Sequence, residues 1–141
     1  MAFFFKDDFS QLVEKSIEEA ELHTSAEFKL HIEEVCNEDL LDRAAFVFSE
    51  LELHKTKMRN AVLLYVSIDD RKVSILADGG AKAHLSEQFL SETLSTLIKD
   101  FKSNQYAEGI GNCFMNIALA LKSHFPYQEN DINEISNTVS R

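Results

Sequence analysis

Tryptophan is absent from the 141-residue sequence, proline occurs once, glycine four times and cysteine twice. Cys36 and Cys113 form no Cys-x-x-Cys pair and have no histidines at zinc-finger spacing, so two buried, reduced thiols are expected. Cys36 does not fit a tyrosine-phosphatase loop either, because Asp42 stands where the phosphate-binding arginine would be and Arg43 lies one position beyond. Long apolar runs are also missing: no stretch reaches the roughly 18 residues of a membrane span. The N-terminal apolar run covers only residues 2–5 before Lys6, Asp7 and Asp8, which is not the pattern of a signal peptide. A cytosolic location is the expectation. Basic residues are scarce, 14 Lys and Arg against 24 Asp and Glu, and the net charge of −10 repels nucleic acid and anionic membranes. The same field attracts divalent cations.

What is present is strong periodicity. Residues 7–22 place Phe9, Leu12, Val13, Ile17 and Ala20 at helical spacing behind two aspartates that suit a helix N-terminus. "EFKLHIEEV", 27–35, alternates instead, with Phe28, Leu30 and Ile32 on one face and Lys29, His31 and Glu33 on a partly wet one, as in a half-buried strand. "NEDLLDRAAFVFSELEL" returns to the helical period through Leu41, Ala44, Ala45, Phe48 and Leu51, with Asn37 or Asp39 as cap. "AVLLYVSI", apolar on both faces, suits a central strand. "DD" turns the chain and "RKVSILAD" runs back until "GG" stops it. A third helix starts at Ser86, and a fourth spans about 106–125 before Pro126. Residues 127–141, "YQENDINEISNTVSR" with its first residue at Tyr127, are polar, aperiodic and expected as a flexible tail.

Strand, helix, strand implies a parallel crossover, and the tight turn at Asp69 and Asp70 adds an antiparallel neighbour. The expected architecture is a single domain over 1–126. It is a three-layer α/β/α sandwich on a small mixed sheet, strands one and two parallel and strand three antiparallel, with about four helices.

"AELHTSAEF", "TKMRNAVLLYVSIDDRKVSILAD", "QYAEGI" and "SHFP" occur in order at fitting distances. Together they resemble the TPM domain family over about 17–126. Ala26 and Ala61 stand where that family usually has Gly, and "DGGA" replaces a more typical D-x-G-I. The resemblance implies divalent-metal binding, as in several members, and a phosphatase activity proposed for some.

The strand order separates the acids into two groups, because the two ends of the second strand lie about 25 Å apart at roughly 3.3 Å per residue. Glu21, Thr24, Glu27, Asn60 and Asp78 fall at one pole, beside Gly79 and Gly80. They match family motif positions and offer hard oxygen ligands for Ca²⁺ or Mg²⁺, with Glu27 and Asp78 first. The alternative is that these residues are turn and cap formers. Asp69 and Asp70, with Glu38 and Asp39 near them, form the second candidate at the carboxyl ends of the parallel strands, where ligands favour open α/β sheets. The five histidines have no partner at i+3 or i+4 and are expected to be structural or solvated. "GIGN", 109–112, follows no strand and is not a dinucleotide fingerprint.

The expectation is a cation-binding regulatory or interaction module with an unidentified protein partner. The alternative is a weak metal-dependent phosphomonoesterase using Thr24 or Ser25 with Lys57 and Arg59 at the first pole.

Overall fold

The computed structural model describes residues 8–129 and 133–141. The apolar run at 2–5, Asp7 and three positions of the C-terminal segment lie outside the described residues. The chain runs α1 (Phe9–Glu21), β1 (Glu27–Glu33), α2 (Leu40–Glu50), a 3₁₀ turn (Leu53–Lys55), β2 (Ala61–Ser67), β3 (Lys72–Ala77), α3 (Gly79–Lys82), α4 (Glu87–Lys102) and α5 (Tyr106–Leu121). The strands form one sheet in the order β1-β2-β3, with β1 parallel and β3 antiparallel to β2.

Every residue of β2 is buried, as its two-faced apolar sequence requires. Val62, Leu64 and Val66 join Phe28, Leu30 and Ile32 of β1 and the helical stripe Phe9, Val13, Ile17 and Ala20 of α1 in the larger core. Helices α1, α5 and α4 cover that face. "GIGN" is a packing device: a Cβ at Gly109 would stand 2.7 Å from Asp100 Cβ on α4, and one at Gly111 2.7 Å from Ser16 Oγ on α1. Close approach from both sides therefore requires these two small residues.

The opposite face is covered by α2, capped by Asp39, whose carboxylate accepts from the amides of Leu41 and Asp42 at 3.0 and 3.1 Å. Its buried stripe is Ala44, Val47 and Phe48, with Leu40 and Leu51 packed beside it over Leu63 and Tyr65. Leu41 and Ala45, expected inward, face solvent instead. The spacing 40, 44, 47, 48, 51 satisfies the helical period as well as the expected one, and the position of the sheet decides between them. The "GG" stop is the start of the short helix α3, whose N-cap is Asp78.

The polar face of β1 is not wet. Lys29 and His31 are 6% and 7% exposed because residues 133–141 lie across them. Ser140 joins the free edge of β1, its amide donating to Leu30 O at 3.0 Å and its carbonyl accepting from Ile32 at 2.9 Å. The flexible tail expected at 127–141 is in these residues a docked segment. Its polar groups find backbone and charged partners on β1, so the absence of an apolar period does not signal the absence of a seat.

Candidate functional site

At the amino pole of the sheet, Thr24 donates its hydroxyl to Phe125 O at 2.5 Å and accepts from the Ala26 amide, tying the "TSAEF" loop to the segment that follows α5. Glu21 Oε2 accepts from the Phe28 amide at 3.0 Å. Asn60 Nδ2 points to Ser25 O at 3.4 Å. Asp78 is a bidentate partner of Arg59, at 2.6 and 2.9 Å, and also accepts from the Gly79 amide. The Arg59 guanidinium holds the Asp78 carboxyl below the usual carboxylate range, against the opposing effect of burial. Glu27, 3% exposed, receives the amides of Glu134 and Ile135 on Oε1 and Oε2 at 2.8 and 3.4 Å.

The residues chosen from sequence for a cation thus do meet at one end of the sheet, but their oxygens face protein donors. Glu27 and Asp78 each engage both carboxylate oxygens. Among the described residues no three His, Cys, Asp or Glu side chains form a group able to hold an ion. The first-choice set does not fit a cation in this arrangement.

At the carboxyl pole, residues 68–71 close the β2–β3 hairpin, with the Arg71 amide donating to Ile68 O at 3.2 Å and Arg71 itself at φ 55°. Asp69 and Asp70 occupy the centre of that turn, as their residue type favours. Asp70 does more than turn the chain. Its Oδ2 accepts from the Cys36 amide at 2.6 Å and the Ser67 hydroxyl at 2.7 Å, joining the turn to the loop after β1. These donors, the Cys36 amide first, keep its carboxyl below the usual range. The Asp69 amide donates to Glu34 O at 2.8 Å, so Glu34 lies at the same pole. Asp39 is spent on the α2 cap.

Sequence reasoning missed a neighbouring network centred on Glu33. Arg43 clamps its carboxylate with Nε and Nη2 at 2.9 and 2.5 Å, and the Tyr65 hydroxyl donates to Oε1 at 2.5 Å. His31 Nε2 lies 3.2 Å from Glu33 Oε2 but is not aligned for a hydrogen bond. The Arg43 bond, then that from Tyr65, outweigh burial and bring the Glu33 carboxyl down to about 2. Burial, then the bond to Glu33, pushes the Tyr65 phenol well above its usual range. A cavity of about 630 Å³ opens beside this cluster, lined by Glu33, Glu34, Glu38, Arg43 and Arg141. The legible signal was Tyr65 alone, a phenol inside an otherwise apolar central strand that needs a partner.

The fold stacks His84 on His124 with ring centroids 3.7 Å apart. No helix among the described residues is long and apolar enough to cross a membrane.

The model of the TPM domain family matches residues 1–119. Among solved structures, the chain is similar to the BA42 protein of the psychrophilic bacterium Bizionia argentinensis, with 32% identity, a TM-score of 0.87, and 94% of this chain and 92% of that one covered. It also shares the fold of the N-terminal domain of a protein from P. gingivalis, at 18% identity, a TM-score of 0.66, and coverage of 88% and 90%. No curated protein matches. With the strand order and register, these matches establish that the chain belongs to the TPM domain family.

Proposed function

We propose that this TPM domain is a regulatory binding module that takes a divalent cation, Ca²⁺ or Mg²⁺, at the carboxyl pole of its sheet, with Asp70 as the anchoring carboxylate. The observation that carries the reading is the one-sided hold on that residue: both donors, Cys36 N–H and Ser67 Oγ, bind Oδ2. Glu27 and Asp78, by contrast, engage both oxygens with protein donors. Mg²⁺ keeps several waters and needs only one or two carboxylates, and Ca²⁺ accepts backbone carbonyls. Asp70 with Asp69 from the turn, and water for the remaining positions, therefore makes a reasonable oxygen set without a ready cage of three acids. The ion would supply positive charge that links the β2–β3 turn to the loop after β1. Asp70 already bridges these two segments.

Phosphomonoester hydrolysis, the other activity that the family resemblance implies, needs a nucleophile and free positive charge at one place. At the amino pole the Thr24 hydroxyl is spent on Phe125 O and Arg59 on Asp78, which favours binding over catalysis.

Amide NMR of the full chain during separate Ca²⁺ and Mg²⁺ titrations, up to about 1 mM free cation, tests the reading. Saturable shifts should cluster at Cys36, Ser67 and Asp70 and disappear in Asp70→Asn. Shifts centred on Glu27 and Asp78, or none, would overturn the assignment. Cation-dependent turnover of a chromogenic phosphomonoester would instead favour the enzyme.

A further inference from the structure

Three alternate residues of β1, Glu27, Lys29 and His31, project from one face and hold residues 133–141. Glu27 takes the Glu134 and Ile135 amides. Lys29 Nζ donates to the carbonyls of Ser136 and Thr138 at 3.1 and 2.6 Å. His31 Nδ1 meets Ser140 Oγ at 2.7 Å. A carboxylate for amides, an ammonium for carbonyls and an imidazole for a hydroxyl make a strip that reads extended backbone, beside an edge strand that offers Leu30 O and Ile32 N–H. Side-chain selection comes from two seats. Ile135 packs against the α2-side core and Val139 against the larger core, so the segment wraps the sheet edge and touches both layers.

We propose that this strip is a peptide-binding site, occupied in cis by the chain's own C-terminal segment, that accepts an extended partner segment with an apolar residue, three spacer residues, a second apolar residue and serine. The charge of the strip is what permits exchange. A buried Glu and Lys are costly unless paired, and burial does depress the Lys29 ammonium. Uncovering an apolar strip would leave a sticky surface, whereas uncovering Glu27 and Lys29 returns their charges to water and recovers that desolvation cost. Both the covered and the uncovered states are then soluble. The segment itself brings only two partly buried apolar anchors, so its local opening needs far less than global unfolding.

The test uses the full chain carrying Ser140→Pro, which deletes the amide given to Leu30 O and the hydroxyl paired with His31 Nδ1 while leaving the strip intact. A fluorescent peptide with the sequence of residues 133–141 should bind this variant saturably by anisotropy. Adding Glu27→Gln should weaken it about tenfold, the loss expected for a charge-assisted hydrogen bond. Circular dichroism confirms that both variants remain folded. Absence of binding to folded Ser140→Pro, or binding indifferent to Glu27→Gln, would overturn the proposal. Hydrogen exchange on the unaltered protein is an independent check. The Ile32 amide, bonded to Ser140 O, should exchange at least tenfold faster than the Leu64 amide in β2. Equal protection would show that the segment leaves only on global unfolding and would also overturn it.

Discussion

Replacing Glu33 by Gln keeps the side chain's shape and removes its charge. In the native protein that carboxylate accepts two bonds from Arg43 and one from Tyr65. Hydrogen bonds to a charged group contribute about 1.5–3 kcal/mol, and the amide retains part of this, so the substitution should cost about 2 kcal/mol near neutral pH. For a chain of this size that is a fall in Tm of about 7 °C. The pH dependence identifies the cause. Glu33 titrates at about 2 in the folded protein against an ordinary 4.5. A lowered folded pKa contributes stability that is fully present above the unfolded value and lost as pH falls through the folded one. The window is therefore pH 4.5 down to about 2. The bound is about 3 kcal/mol at ~1.4 kcal/mol per pH unit, reduced to about 2 by solvent at the rim of the site. By pH 3 about 60% of the contribution should be gone. Urea unfolding of both proteins between pH 7 and 3 measures it directly. A gap between unaltered and Glu33→Gln protein that stays constant over that range would refute the electrostatic account and leave only a packing defect.

Two further perturbations separate close neighbours. A Cβ at Gly80 would stand 2.3 Å from Met58 O and 2.7 Å from Arg59 O, whereas one at Gly79 meets nothing within 4 Å. Gly80→Ala should therefore cost about 1–3 kcal/mol through forced backbone displacement, and Gly79→Ala should be neutral or stabilise by up to about 1 kcal/mol in thermal melts. Equal effects would contradict the packing of α3 against the loop before β2. Cys113 is 2% exposed and burial pushes its thiol up to about 12, while Cys36 is half-buried. A disulfide thiol reagent at pH 8 should modify Cys36 alone until denaturant is added; equal rates at both sites would exclude the buried placement of Cys113.

Hydrophobic period and local chemistry carried most of the fold. β2 was legible as the central strand because it is apolar on both faces, and the "DD" turn and the caps Asp39 and Ser86 depend on neighbours within four residues. The facing of α2 was not, since two stripes satisfied the same period and only contact with Leu63 and Tyr65 chose between them. The candidate site divides in the same way. Sequence placed Glu27, Asn60 and Asp78 at one pole and Asp69 and Asp70 at the other, because strand order alone decides which ends share an edge. What those carboxylates bind was decided by tertiary structure. Asp78 meets Arg59, 19 residues away, and Glu27 meets the Glu134 amide, 107 residues away. The partner of Asp78 is a side chain that the fold brings near, and the partner of Glu27 is a backbone amide, which is the same in every non-proline residue, so composition and spacing carry no trace of that choice.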